Sequence, residues 1–152
     1  MKQEPVLKVT AYLTAVREGE QALLVFEEED FEHLGLQVPG GTVMAGESLE
    51  DALLREIREE AGIEQAVIRA YLGEHSYVSE KLGCELTRHY YWLEATELVP
   101  GRFTHVVTSD DEDNGWIYHY RWIPFADSPP VLYGQLGQYL VKLRELHISA
   151  SS

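Results

Sequence analysis

Between Ser48 and Gly62 the sequence carries its own start and stop signals for a helix, and that helix has an unusual composition on the side that must be buried. Ser48 is a good N-cap, and Glu50 and Asp51 stand in the first turn, where the helix dipole favours negative charge. Gly62 sits where a left-handed residue closes a helix ending near Ala61. At ~100° per residue, Leu49, Leu53 and Ile57 form an apolar row that must meet a core. Glu56 and Glu60 extend the rows of Leu49 and Leu53, and Glu59 stands beside them at i+3 from Glu56. Any fold of this chain must therefore cover one face of the helix while leaving its acidic end within reach of a compensating charge.

Three like charges at a half-buried helix end repel one another and lose hydration, so uncompensated they destabilise the helix or take up protons. Arg58 points away on the wheel and Arg55 is a single residue, which leaves a divalent cation as the natural counter-ion. Hard oxygen ligands favour Mg2+, with Mn2+ as substitute. A solvated acidic helix surface is the ordinary alternative, but the segment before the helix shifts the balance. In Pro39-Gly40-Gly41 the proline ends regular pairing and the glycines permit backbone angles closed to other residues. The segment reads as a loop offering backbone groups to an anion or metal.

The remaining chain reads mainly as strands. Leu7 to Ala15 alternates apolar and polar residues, Ala22 to Phe26 is a continuous apolar run, and Leu36 to Val38 leads into the glycine loop. Further strands are expected at Ala66–Tyr77, His89–Ala95 and Trp116–Ile123, all rich in β-branched or aromatic residues. A second helix is expected after Pro129-Pro130, with Leu132, Leu136, Leu140 and Leu143 at helical spacing. A tail at Ile148–Ser152 should fray. The 152 residues, 45% hydrophobic, suit one domain.

Twelve Lys plus Arg against 26 Asp plus Glu give a net charge of -14, which repels an extended polyanion and argues against long nucleic acid as substrate. The single cysteine, Cys84, cannot form an internal disulfide, and the start MKQEPVLKV has neither a basic leader nor an apolar run that would span a membrane. A cytoplasmic setting without membrane attachment is expected.

The segment Gly41 to Ile63, GTVMAGESLEDALLREIREEAGI, resembles the Nudix box. Every defined position of that motif is present: Gly41, Glu47, Arg55, Glu56, Ile57, Glu59, Glu60, Gly62 and Ile63. The resemblance implies an α/β Nudix fold of the MutT type, an α/β/α sandwich with a mixed β-sheet and a loop-helix-loop box. It implies a Mg-dependent hydrolase that cuts the diphosphate bond of a nucleoside diphosphate linked to another moiety, or of a nucleoside triphosphate. Glu56, Glu59 and Glu60 would ligate metal, joined by a backbone carbonyl at Gly40 or Gly41, with Arg55 and Glu47 as a supporting salt bridge. The general base would be a box glutamate or an acid of a later loop. Asp110, Asp111, Glu112 and Asp113 are available there, and Glu112 is favoured.

The substrate is less legible. No proline lies between Pro39 and Pro100, so the downstream proline of many ADP-ribose hydrolases is absent. Arg88 and His119 are candidates to contact substrate phosphate or base, and the alternating Trp116, Tyr118, Tyr120 and Trp122 either face a nucleobase or pack in the core. A small-molecule nucleotide or nucleotide derivative is the expected partner, and the resemblance leaves a homodimer open. A nucleotide-sensing module that binds without cutting is the alternative function; it calls for degraded box acids, and here they are intact.

Overall fold

The computed structural model describes residues 6–151, with side chains described through His147. Met1–Pro5, part of the stretch inspected for a leader, and Ser152 lie outside the described residues. The elements are β1 Val6–Arg17, β2 Glu20–Glu28, β3 Gly40–Thr42, α1 Leu49–Ala61, β4 Ala66–Ser79, β5 Cys84–Ala95, β6 Arg102–Val106, β7 Ile117–Pro124 and α2 Leu140–Ser151. The strands form one mixed sheet in the order β4-β5-β1-β2-β7-β6, with β3 paired to β1 off this path. β1 runs parallel to β5, while its pairings with β2 and β3 are antiparallel.

Alternation along β1 sends successive side chains to opposite faces and so creates two cores. On one face Val9, Ala11 and Leu13 pack with Ala52, Leu53 and Ile57 of α1. On the other, Tyr12 and Tyr90 pack with Leu140 and Leu143 of α2. The architecture is thus the expected α/β/α sandwich. Among the described residues no helix is long and apolar enough to cross a membrane.

Several elements depart from expectation. Pro39 does end one stretch, but Gly40–Thr42 is paired strand rather than loop, with Gly41 opposite Val9. Neither glycine has a positive φ, so their use there is not conformational freedom. β6 was not anticipated: at the sheet edge, none of its residues is fully buried, which leaves no strong period in the sequence. β5 begins at Cys84 rather than His89. α2 begins only at Leu140, because Leu132 and Leu136 pack from non-helical chain whose carbonyls at Gln135 and Leu136 accept bonds from Tyr90 and Tyr12. Most of the expected tail continues α2, which runs to Ser151.

The site's location follows from how β1 divides its pairing. Thr14–Arg17 pair with β2, whereas Lys8–Thr10 pair with β3. Toward the start of β1 the sheet therefore splays into an opening between β1/β3 and β2, crossed by the Gln37–Phe26 bridge, where Glu56 and Glu60 of the C-terminal half of α1 meet Gly41 and Gly40 of β3.

Candidate active site

α1 forms where the sequence places it. Ser48 caps it by accepting from the Asp51 N–H at 3.1 Å, and Gly62 ends it at φ 71, donating its N–H to the Arg58 carbonyl. The continuation of the apolar rows buries Glu56 and Glu60, at 8% and 6% exposure. Their surroundings explain why glycine precedes the helix. A Cβ on Gly41 would enter the Glu56 carboxylate, and one on Gly40 would strike the Val9 carbonyl oxygen. The bare backbone also brings the Gly40 N–H within 2.9 Å of Glu60 Oε1, to which it donates.

Arg55 organises the other acids. Its Nε and Nη2 donate to the two oxygens of Glu47 at 2.8 and 2.9 Å, Nη2 also reaches the Thr42 carbonyl at 3.0 Å, and Nη1 donates to Glu56 and Glu59 at 2.9 Å each. Glu47 in turn accepts from the Met44 N–H. One guanidinium thus ties three carboxylates to the backbone of β3, a larger share of the compensation than its single charge suggested. It does not bond to Glu60.

The consequence appears in the acidities. The hydrogen bonds from Arg55 hold Glu47 below the usual carboxylate range. Burial dominates at Glu56 and pushes it up to about 7 against the pull of Arg55, with Glu59 and Asp113 adding repulsion. Burial and the Glu56 charge raise Glu60 well above its ordinary value, and the Gly40 N–H offsets only part of this. Buried carboxylates that resist ionisation are short of positive charge.

The end of α1 is fastened to the rest of the sheet through carbonyls left without helical partners. Glu59 O accepts from the Thr108 N–H and from His105 Nε2 at 3.0 Å, which fixes the proton on that nitrogen, and Glu60 O accepts from the Tyr120 hydroxyl at 2.9 Å. These bonds bring β6, β7 and the acidic loop between them to the box. In that loop Asp113 accepts from Ser109 Oγ, and its charge is felt at Glu56, Glu60 and Tyr118. Glu112 is exposed.

Arg88 lies on β5, donating from Nη1 to Thr10 Oγ1 at 2.9 Å and from Nε to the Tyr77 hydroxyl at 3.2 Å. His119 is bonded to Thr104 and Glu29 at exposed positions, with no bond to the box acids. The aromatic strand does not present rings to solvent along one face: Tyr118 stacks on Phe26 and Tyr120 on Phe103 within the α1-side core, and Trp116 precedes β7. A cavity of about 300 Å³ lined by Leu54, Ile57, Arg58 and Thr96 among others opens on a different flank of α1 and includes none of the box acids. Nothing in the local sequence points to Lys8. Its charge is coupled to Glu56, Glu60 and Asp111, but the coupling depends on strand register, which no local pattern announces.

The donor set fits a divalent cation in chemistry: several carboxylates, hard oxygen donors, two of them buried and undercompensated. Among the described residues no three acidic, histidine or cysteine side chains already converge as a ligand group. Arg55 holds Glu56 and Glu59 instead.

The sequence pattern of the NUDIX domain matches residues 6–141, and the chain belongs to that family. Nudix enzymes generally use divalent metal cations. Solved structures agree on the fold. A Nudix hydrolase from M. smegmatis, RenU, is 21% identical with TM-score 0.63, over 93% of this chain and 86% of that one. The NUDIX domain of Shewanella oneidensis NrtR, solved with ADP ribose, is 18% identical with TM-score 0.65, over 99% and 90%. A C. elegans Ap4A hydrolase in a binary complex is 21% identical with TM-score 0.65, over 95% and 98%. A search of the curated proteins returned no match.

Proposed function

We propose that this chain hydrolyses the diphosphate linkage of a nucleoside diphosphate joined to another moiety, or of a nucleoside triphosphate, with Mg2+ or Mn2+ held by Glu56, Glu59, Glu60 and the Gly41 carbonyl. The observation that carries the reading is the complete acid set, buried at Glu56 and Glu60 and held by Arg55 against a glycine backbone. A bound divalent cation supplies positive charge to the diphosphate and makes water a stronger acid. The chain does the rest. Arg55, anchored by Glu47 and Thr42, fixes the directions of Glu56 and Glu59, and ligand direction governs reaction geometry. The Gly40 N–H holds Glu60 in place. A carboxylate must accept the proton lost by the attacking water. The coupling of Asp113 to the box acids supports it over the exposed Glu112.

The substrates named for similar structures differ: ADP ribose is bound by the NrtR domain, and others are an Ap4A hydrolase and a UDP-X diphosphatase. The proposed class spans these. Incubation of the protein with Mg2+ and a panel of nucleoside triphosphates, nucleotide sugars, ADP-ribose and dinucleoside polyphosphates, alongside Glu59→Gln and Glu60→Gln, should show cleavage of one class that both variants and EDTA abolish. Nucleotide binding without cleavage in the unsubstituted protein would replace the hydrolase by a sensing module.

A further inference from the structure

The sequence holds 12 Lys plus Arg against 26 Asp plus Glu, so a cation in this chain has acids to spare as partners. Lys8 and Arg88 have none. They stand opposite each other across the parallel β1/β5 pairing, yet among the described residues neither takes part in an ion pair. Alternation places Lys8 with Thr10 and Tyr12 on one face of β1, and Arg88 with Tyr90 on the same face of β5; the Arg88 bond to Thr10 Oγ1 and the shared Tyr12–Tyr90 core confirm that side.

The two cations differ in how they are held. Arg88 is aimed by Thr10 and Tyr77 through Nη1 and Nε, and among the described residues no bond engages its Nη2. Lys8 is half-buried, and among the described residues its ammonium group makes no hydrogen bond. It lies opposite Thr42 on β3, one residue from Gly41, at the opening beside the box. The fields of Glu56, Glu60 and Asp111 reach it without contact, while burial and the neighbouring Arg88 depress its basicity. Two adjacent cations on a partly desolvated surface repel each other, and such a pair is stabilised by an anion that both can share. Of the carboxylates whose fields reach Lys8, Glu56 is committed to Arg55 and Glu60 to the Gly40 N–H. The geometry suits a multiply charged oxyanion, since Arg offers directed N–H groups and Lys a point charge to the same phosphate oxygens.

Resting on the hydrolase reading, we propose that Lys8 and Arg88 form an anion subsite that holds a phosphate group of the substrate beside the box acids, leaving the cation set at Glu56, Glu59 and Glu60 for the bond that is cut. Lys8 and Arg88 are positioning residues for the phosphate chain and take no proton in the reaction.

The test uses the whole protein and inorganic pyrophosphate as probe, with and without Mg2+. The chain has four lysines, Lys2, Lys8, Lys81 and Lys142, so reductive methylation with 13C-formaldehyde gives few side-chain resonances, and the Lys8 signal is the one lost in Lys8→Arg. Pyrophosphate should move the Lys8 signal saturably and raise its titration midpoint, with the other lysines unmoved. By calorimetry Lys8→Met and Arg88→Met should each weaken pyrophosphate binding by about tenfold or more, and Lys8→Arg should largely restore it. Thermal melting of each variant close to that of the unsubstituted protein separates loss of the subsite from loss of the fold. Absence of a saturable Lys8 shift, equal shifts at all lysines, or unaltered binding by well-folded Lys8→Met overturns the subsite. Its failure is distinguishable from that of the hydrolase. Pyrophosphate binding lost in Lys8→Met, with no nucleotide ever cut, keeps the subsite and removes the enzyme. Turnover with unchanged KM in Lys8→Met and Arg88→Met keeps the enzyme and removes the subsite.

Discussion

At the scale of single residues, Arg55 and Glu60 show opposite solutions to the same electrostatic problem. Arg55 spreads one charge over Glu47, Glu56 and Glu59 through a forked geometry that lysine cannot copy. Arg55→Lys should therefore lower kcat/KM by about 10 to 100-fold although the charge is kept, as steady-state kinetics with the substrate found in the panel would show. Glu60 is buried, and among the described residues its carboxylate has the Gly40 N–H alone for support. Glu60→Gln should abolish turnover yet leave the metal-free protein as stable as before or more so, because it removes a charge that burial penalises. Thermal melting of that variant in EDTA checks the second half. These residues were legible before the structure because the helical wheel and the motif spacing both act within one helix. Lys8 was not, and Asp113 could not be singled out from the other acids of its loop, since their relation to the box is made by strand pairing and by a loop fastened to the end of α1.

At the scale of elements, the end of α1 decides where its acids point. The carbonyls of Glu59 and Glu60 are held by His105, Thr108 and Tyr120, all outside the helix. Tyr120 is 2% exposed, so Tyr120→Phe leaves a buried carbonyl without its partner and should cost about 1 to 3 kcal/mol in urea denaturation. It should also reduce activity more than a distant core change of equal destabilisation, because Glu60 itself is released. Gly62, at φ 71 and with His105 packed against it, closes the same end and explains why the helix stops where the sequence reading put it. Elements with strong local signals were legible: β1 by its alternation, α1 by its caps. β6 was not, because an edge strand without a fully buried position has little period to detect. β3 was read as loop because glycine has no strand preference of its own. What it supplies there is the absence of a Cβ against Val9 and Glu56. The late start of α2 shows that leucines at helical spacing can face a core from turns.

For the whole molecule, the acids at the opening set a dependence on pH. Glu56 ordinarily ionises near 4.5 and does so at about 7 in the fold, so below 4.5 it is protonated in both states and contributes nothing. Between 4.5 and about 7 the unfolded chain ionises first, binds fewer protons than the native one, and stability falls as pH rises, by up to about 3 kcal/mol from this residue. Glu60, raised in the same direction, extends the loss to higher pH. The melting temperature of the metal-free protein should accordingly drop from pH 5 to pH 7.5, and Mn2+ or Mg2+ should restore it at pH 7.5 far more than at pH 5. The central claim, that this opening is a cation-dependent site for adding water across a diphosphate, is tested most directly by 31P NMR of the reaction in H2 18O. With the substrate identified from the panel and Mg2+ present, the account predicts one 18O atom in a single phosphate product, and no product in EDTA or with Glu60→Gln. Labelled product formed equally well in EDTA, or equally well by Glu60→Gln, would contradict it.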